Sequence, residues 1–339
     1  MSPYYRPIPS TDPARPEGAL TLAGGWCWFD RAEVLERGRA PVLIPASDLP
    51  PEVAMHLTAP RAPLVGLSMD APRIMAILNV TPDSFSDGGV FNAKDAALNR
   101  ARVLAEEGAD ILDVGGESTR PGADVVEIDE ETERTAPLIL AIRSQLSLPI
   151  SIDTRKAPVA RAALAAGADM VNDVAAFTHD PHLAGVVAET GVPVCLMHAK
   201  GDPKTMQQAP DYDDVLLDVY DFLAARVAAA EAAGLARDAI VIDPGIGFGK
   251  TLEHNLTLLQ RLSLFHALGC PILLGASRKR FIGTLGHEPE PAQRGPGSIA
   301  VALAGIAQGV QIVRVHDMKQ TRQALHLERA IRNAGASTQ

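Results

Sequence analysis

The chain has 339 residues, enough for one large domain or two ordinary ones, and its 47% hydrophobic and 21% charged content is the balance of a globular protein with ample core. A formal net charge of −10, from 31 basic and 41 acidic residues, argues against nucleic acid as a main partner, and Arg278-Lys279-Arg280 is the one basic run. No apolar stretch approaches the roughly 18 residues of a membrane span, and the first ten residues lack the basic and apolar regions of a secretory signal. Cys27, Cys195 and Cys270 are too widely spaced for a disulfide framework or a zinc site, so the reducing cytoplasm is the expected compartment.

Residues 1–72 hold 12 of the 26 prolines and both tryptophans, Trp26 and Trp28. So much proline excludes long helices, yet GGWCWF is too apolar for a solvated tail. The expectation is an irregular, proline-rich N-terminal extension of short strands and loops, packed on the larger C-terminal part of the chain. From residue 73 to 339 the pattern turns regular. Short β-branched or apolar runs recur at 74–80, 110–114, 149–153, 169–174, 192–197, 239–243, 271–275 and 311–315, separated by amphipathic segments rich in alanine and leucine. Asn92 can cap a helix that Gly108 ends, and Asp180-Pro181 opens another that Gly191 ends. Eight strands with intervening helices predict a (β/α)8 TIM barrel. An open doubly wound sheet would have fewer strands and a Gly-x-Gly-x-x-Gly first turn, which strand one lacks.

Buried parallel strands need a reason to carry polar residues. Here they sit at the carboxyl end of strand after strand: Asn79, Asp113, Asp153, Asn172-Asp173, His198 beyond Met197, Asp243, Ser277, and finally Arg314, His316 and Asp317. Any one of these could simply close a turn; eight in succession point to the face where barrel enzymes keep their chemistry. The loops TPDSFSDGG (81–89) and GGESTRPGA (115–123) suit closure over an anionic substrate. GIGFGKT (245–251) imitates a phosphate loop, but the spacing needs glycine at 244 and Pro244 stands there; it reads as a strand-to-helix connection in which Asp243 is the informative residue. The nine histidines form no metal cluster, and most of them, His266 included, read as surface residues. Cys195 and Cys270 read as small core residues.

Taken together, ILNVTPDSFSDGG (77–89), DVGGESTRPGA (113–123), SIDTRK (151–156), VNDV (171–174), CLMHAKGDPKTMQ (195–207), IDPGIGFGK (242–250), ASRKRFIG (276–283) and RVHD (314–317) resemble the dihydropteroate synthase family of pterin-binding barrels, over roughly residues 73–330. The resemblance implies a transferase of folate biosynthesis. p-Aminobenzoate attacks the methylene carbon of 6-hydroxymethyl-7,8-dihydropterin diphosphate, pyrophosphate leaves with Mg²⁺ assisting, and 7,8-dihydropteroate forms; sulfonamides mimic the amine. It also implies a homodimer. Arg280 and Met318 depart from residues common in the family, and neither touches the implied chemistry.

The implied roles follow the motifs. Asp153, Asn172, Met197, Asp243, Phe248, Lys279 and Arg314 would hold the pterin, whose donor-rich edge needs buried acceptors. Asp153 would stabilise a developing pterin cation, with Lys279, Arg314 and Asp83 completing the catalytic set. Asn79, Thr119, Arg314 and His316 would hold pyrophosphate, with Asn79 also ligating Mg²⁺, a hard cation that takes few protein ligands. Phe85, Thr119, Arg120, Pro121, Ser277 and Lys279 would form the p-aminobenzoate pocket. For Asp83 and Arg120 a plain surface ion pair is the alternative. Two rival functions share parts of this pattern. A corrinoid-dependent methyltransferase would keep the pterin residues but have no use for TPDSFSDGG, SRK and RVHD. A degenerate pterin-binding homologue should have lost some of Asn79, Asp153, Lys279, Arg314 and His316, all of which are present.

Overall fold

The computed structural model describes residues 3–80, 89–118, 123, 125–201, 206 and 210–334, with no side-chain description at 89–93. The N-terminal segment is more ordered than its proline content predicts. It holds β1 (Tyr4–Pro7), β2 (Leu20–Thr21), β3 (Trp28–Phe29), β4 (Arg31–Leu35), β5 (Val42–Pro45) and one two-turn helix, α1 (Pro51–Thr58), with Pro51 at the start where its missing N–H costs nothing. β1, β4 and β5 form an antiparallel sheet, and β2 pairs with β3.

The barrel elements come next in the chain: β6 (Arg73–Asn79), α2 (Gly89–Glu106), β7 (Ile111–Gly115), α3 (Ile128–Arg143), β8 (Ile150–Asp153), α4 (Ala157–Ala165), β9 (Met170–Asp173), α5 (Leu183–Thr190), β10 (Val194–Met197), α6 (Val215–Ala232), β11 (Ile240–Asp243), α7 (Leu252–Gln260), β12 (Leu273–Leu274), α8 (Arg280–Leu285), α9 (Gly295–Ile306), β13 (Ile312–Val315) and α10 (Met318–Arg332). The eight strands from β6 onward pair in parallel in the order β11-β10-β9-β8-β7-β6-β13-β12. A parallel bridge between Ile242 and Ile272 joins the two ends, so the sheet closes into a (β/α)8 barrel.

The two-residue period of a strand divides the barrel interior into layers. Met75, Ile111, Met170, Cys195, Val241, Leu273 and Ile312 make one fully buried apolar layer at the amino-terminal end. Two residues further along these same strands stand Ile77, Asp113, Asn172, Met197, Asp243, Gly275 and Arg314. One alternation thus supplies a dry floor and, at Asp113, Asn172, Asp243 and Arg314, the polar groups above it. Leu64 and Met69, both 1% exposed, pack against the apolar layer from below and plug it.

The extension is fastened to the barrel's outside as well. Trp26 donates its indole N–H to the Ile306 carbonyl at 2.9 Å, and Ser263 donates its hydroxyl to the Pro7 carbonyl at 2.9 Å. Arg61, buried with no carboxylate partner among the described residues, donates to the carbonyls of His56, Ala59 and His266, gathering the end of α1 onto the turn at Leu262–Leu268. Burial lowers its pKa to about 10. This cover also corrects the reading of His266 as a surface residue: it is fully buried, and burial with the nearby Arg61 charge pushes its imidazole down to about 3. Cys195 and Cys270 are buried, in agreement with the core reading, and all three cysteines are free.

Candidate active site

A cavity of about 980 Å³ opens at the carboxyl ends of the barrel strands. Asn79, Asp153, Asn172, Met197 and Asp243 line it from β6, β8, β9, β10 and β11. Phe248, Ser277, Lys279, Arg314 and His316 line it from the later connections and from β13. Ten of the residues singled out in the sequence therefore converge on one cavity. Asp83, Phe85, Thr119, Arg120 and Pro121 lie outside the described residues.

Strand register sets the inner wall. Asn79 pairs with Gly115, Gly115 with Asp153, and Asp153 with Asn172, so their positions form one row across four strands. Arg314 reaches across the barrel from β13. Its Nε donates to Asp113 Oδ2 at 2.5 Å and its Nη2 to Asp153 Oδ2 at 2.7 Å, while Asn172 Nδ2 donates to the same Asp113 oxygen at 3.1 Å. One guanidinium thus neutralises only one of two buried carboxylates. Burial is the largest influence on Asp153; the Arg314 charge opposes it, Asp113 adds to it, and the carboxyl is pushed up to about 7. Asp153 Oδ1 is buried and has no hydrogen-bond partner among the described residues, and neither has Asp113 Oδ1. Unmatched acceptors of this kind are costly and point to a donor that arrives with a ligand. Asp113, given no role from the sequence, is the hub of this arrangement.

On the far side, burial also raises Asp243, against the nearby Lys279 charge and the Gly245 N–H that it accepts at 2.7 Å. Lys279 donates to the Ile246 carbonyl and sits 4.3 Å above the centre of the Phe248 ring. The SRK and RVHD motifs are tied together. Ser277 Oγ accepts the His316 N–H at 3.2 Å and lies 3.0 Å from its Nδ1, and Arg278 Nε donates to Asp317 Oδ2 at 3.0 Å. Arg278 adopts a left-handed backbone, φ 58°, held by its N–H on Ser298 Oγ at 2.8 Å. That turn aims Lys279 inward.

Glu117 and Val126, in the connection after β7, are held by charges that carry no expected role from the sequence. Glu117 accepts from the Val126 N–H at 3.0 Å, from Lys156 at 3.2 Å and from Arg155 at 2.9 Å; Lys156 also donates to Glu131 at 2.6 Å. All four charged side chains are buried. Burial alone would raise Glu117, but the Val126 N–H with Arg155 and Lys156 outweighs it and holds the carboxyl below its ordinary range. Glu117 itself lines the cavity. In the loop after β11, Lys250 turns back into the protein rather than outward to a phosphate, which agrees with setting aside the phosphate-loop motif. Among the described residues no group of three or more His, Cys, Asp or Glu could hold a metal ion, and Asn79 lines the cavity with a neutral amide. No helix of the described residues is long and apolar enough to cross a membrane.

Comparison with known proteins agrees with this geometry. The model of the family described as pterin binding enzyme matches residues 75–316. The dihydropteroate synthase of Synechocystis sp. is 49% identical over 246 residues, covering 73% of this chain and 85% of its own. That of Escherichia coli K12 is 46% identical over 268 residues, 79% and 94% of the two chains. A solved Xanthomonas albilineans dihydropteroate synthase with 4-aminobenzoic acid superposes with a TM-score of 0.74 at 48% identity, covering 78% of this chain and 94% of its own. A Yersinia pestis dihydropteroate synthase in a sulfonamide complex gives 0.74 at 44% identity, covering 79% and 96%. The chain belongs to the pterin-binding enzyme family and, within it, to the dihydropteroate synthases.

Proposed function

We propose that this chain condenses 6-hydroxymethyl-7,8-dihydropterin diphosphate with p-aminobenzoate, releasing pyrophosphate and 7,8-dihydropteroate. The observation that carries the proposal is the unpartnered Oδ1 of Asp153, buried at the wall of a cavity that Asn172 and Asp243 also line with acceptors. A pterin ring edge supplies the donors that such a wall lacks. With the ring held there, the carboxylate of Asp153 lies beside the carbon that loses pyrophosphate and stabilises the positive charge that develops on it. Arg314 holds that carboxylate in place and offers a planar face for the ring. His316 and Asn79 serve the leaving diphosphate, and Ser277 serves the carboxylate of the incoming amine, whose lone pair forms the new C–N bond as the C–O bond to diphosphate breaks, the nitrogen then losing one proton to the released pyrophosphate or to water. Asp83, Phe85, Thr119, Arg120 and Pro121 keep their expected parts in catalysis and in the pyrophosphate and p-aminobenzoate pockets. Mg²⁺, held by Asn79 together with diphosphate oxygens, would neutralise charge on the leaving group.

Incubating the purified chain with the pterin diphosphate, p-aminobenzoate and Mg²⁺ is expected to yield pyrophosphate and dihydropteroate in equal amounts; formation of neither by folded protein overturns the proposal. A sulfonamide is expected to compete with p-aminobenzoate in steady-state kinetics, and inhibition of kcat alone would put the amine elsewhere. The methyltransferase alternative is disfavoured because SRK and RVHD are joined into one support of the cavity rim. A cytoplasmic setting fits three free, buried cysteines. Homodimerisation rests on the family likeness, and light scattering of the purified chain is its check.

A further inference from the structure

The strand-to-helix loop at 244–250 is built around a buried cation that none of the roles above uses. Lys250, 3% exposed, brings its ammonium within 2.8 Å of His198 Nδ1, 2.9 Å of the Gly245 carbonyl and 3.0 Å of the Phe248 carbonyl. No carboxylate pairs with it among the described residues. With the His198 carbonyl at 3.4 Å, the three donors face four acceptors, two of them supplied by the loop that ends at this lysine. The backbone is shaped for that convergence. Gly245, Gly247 and Gly249 all adopt left-handed φ, 68°, 84° and 62°. A Cβ on Gly245 would stand 1.8 Å from the His198 carbonyl oxygen, and one on Gly249 2.3 Å from that of Lys200.

The amides and outer carbonyls of this loop hold the proposed pterin residues. Gly245 N–H donates to Asp243 Oδ1 at 2.7 Å, the Ile246 carbonyl accepts from Lys279, and Phe248 carries the ring under that lysine. Gly247 N–H donates to Asn255 Oδ1 at 2.6 Å, and the Gly249 carbonyl accepts from the Tyr212 hydroxyl at 2.7 Å. Gly245 is thus bonded to Asp243 through its nitrogen and to Lys250 through its oxygen. Burial, with the charge of Lys279, lowers the pKa of Lys250 well below its ordinary value, so keeping the ammonium here has a cost that its acceptors and the nearby Asp243 charge offset.

We propose that Lys250 is a positioning residue for the pterin pocket: its ammonium gathers the carbonyls of Gly245 and Phe248 onto His198 and so fixes Asp243, Phe248 and Lys279 relative to one another. The proposal rests on the assignment of Asp243 and Phe248 to the pterin, and the test separates the two. Purified full-length Lys250→Met, Lys250→Gln and Asp243→Asn are titrated calorimetrically with 6-hydroxymethyl-7,8-dihydropterin and, separately, with inorganic pyrophosphate plus Mg²⁺. Lys250→Met is expected to weaken pterin binding roughly 10- to 100-fold, the loss of hydrogen bonds made by a charged group, while pyrophosphate affinity moves less than about threefold. Lys250→Gln, which keeps two N–H donors, falls between Lys250→Met and the parent. Pterin affinity unchanged in folded Lys250→Met overturns the role, and so does an equal loss for both ligands, the mark of general damage. Should Lys250→Met fail to fold, Lys250→Gln is judged by the same two criteria. If Asp243→Asn also binds pterin normally, the pocket assignment itself is overturned; if Asp243→Asn fails and Lys250→Met does not, only the positioning role falls.

Discussion

Arg314→Met is expected to lower folding stability by about 3–5 kcal/mol and to abolish turnover. The guanidinium is the cation bonded to both Asp113 and Asp153, and removing it leaves two carboxylates side by side in the barrel mouth. Urea unfolding followed by circular dichroism reads the stability. Adding Asp113→Asn to Arg314→Met should return part of the stability and none of the activity, because one buried charge is then gone while the clamp on Asp153 is still missing. A single-variant loss below about 1 kcal/mol would show that water reaches and solvates the carboxylates, and the clamp would lose its energetic meaning.

Asp153→Asn is the second large effect. Removing a fixed charge that acts on the transition state should reduce kcat by about 10²- to 10³-fold and change pterin affinity by less than about fivefold. Equal losses in both would contradict the charge-stabilising role. The parent should also lose turnover as pH falls through about 7, where the raised Asp153 takes up its proton, and this limb should be absent from the variant. Stability carries the opposite sign. A carboxyl raised from 3.8 to about 7 binds its proton more tightly in the folded state, so its contribution is fully present below pH 4 and is lost as pH rises through 7. Asp153→Asn should flatten that decline, and denaturation midpoints across the window check it.

The eight strand positions and the ring of polar strand ends were legible because both follow from local facts: a two-residue period, and the rule that a buried strand does not carry Asn or Asp without cause. The partners were not legible. Asp113 and Arg314 are 201 residues apart, and nothing near either one announces the other. Glu131 has the look of an ordinary acidic residue in the first turn of α3, yet it is fully buried because Lys156 on the next connection needs it. His266 lies in the turn LSLFHAL, which Arg61 of the extension and Gln308 of the barrel cover together. The motif GIGFGKT has the look of a lysine pointing out toward phosphate, and the three left-handed glycines fold it inward instead. For Asp113, Glu131 and His266 the missing information was a contact between distant segments, which patterns within about fifteen residues do not encode; for GIGFGKT the broken spacing at Pro244 was already the signal.

The way the N-terminal segment grips the barrel also governs the order in which the molecule can be made. Trp26 bonds to a carbonyl 280 residues downstream, Pro7 to a hydroxyl 256 downstream, and Tyr4 to a carboxylate 217 downstream. A chain emerging from the ribosome therefore finishes its first sheet long before the surfaces that receive it exist. That sheet, with Val42 and Leu43 on an open edge, has no docking surface until α6 and the turn at Leu262–Leu268 are synthesised, so its docking is expected to be slowed by closure of a long loop.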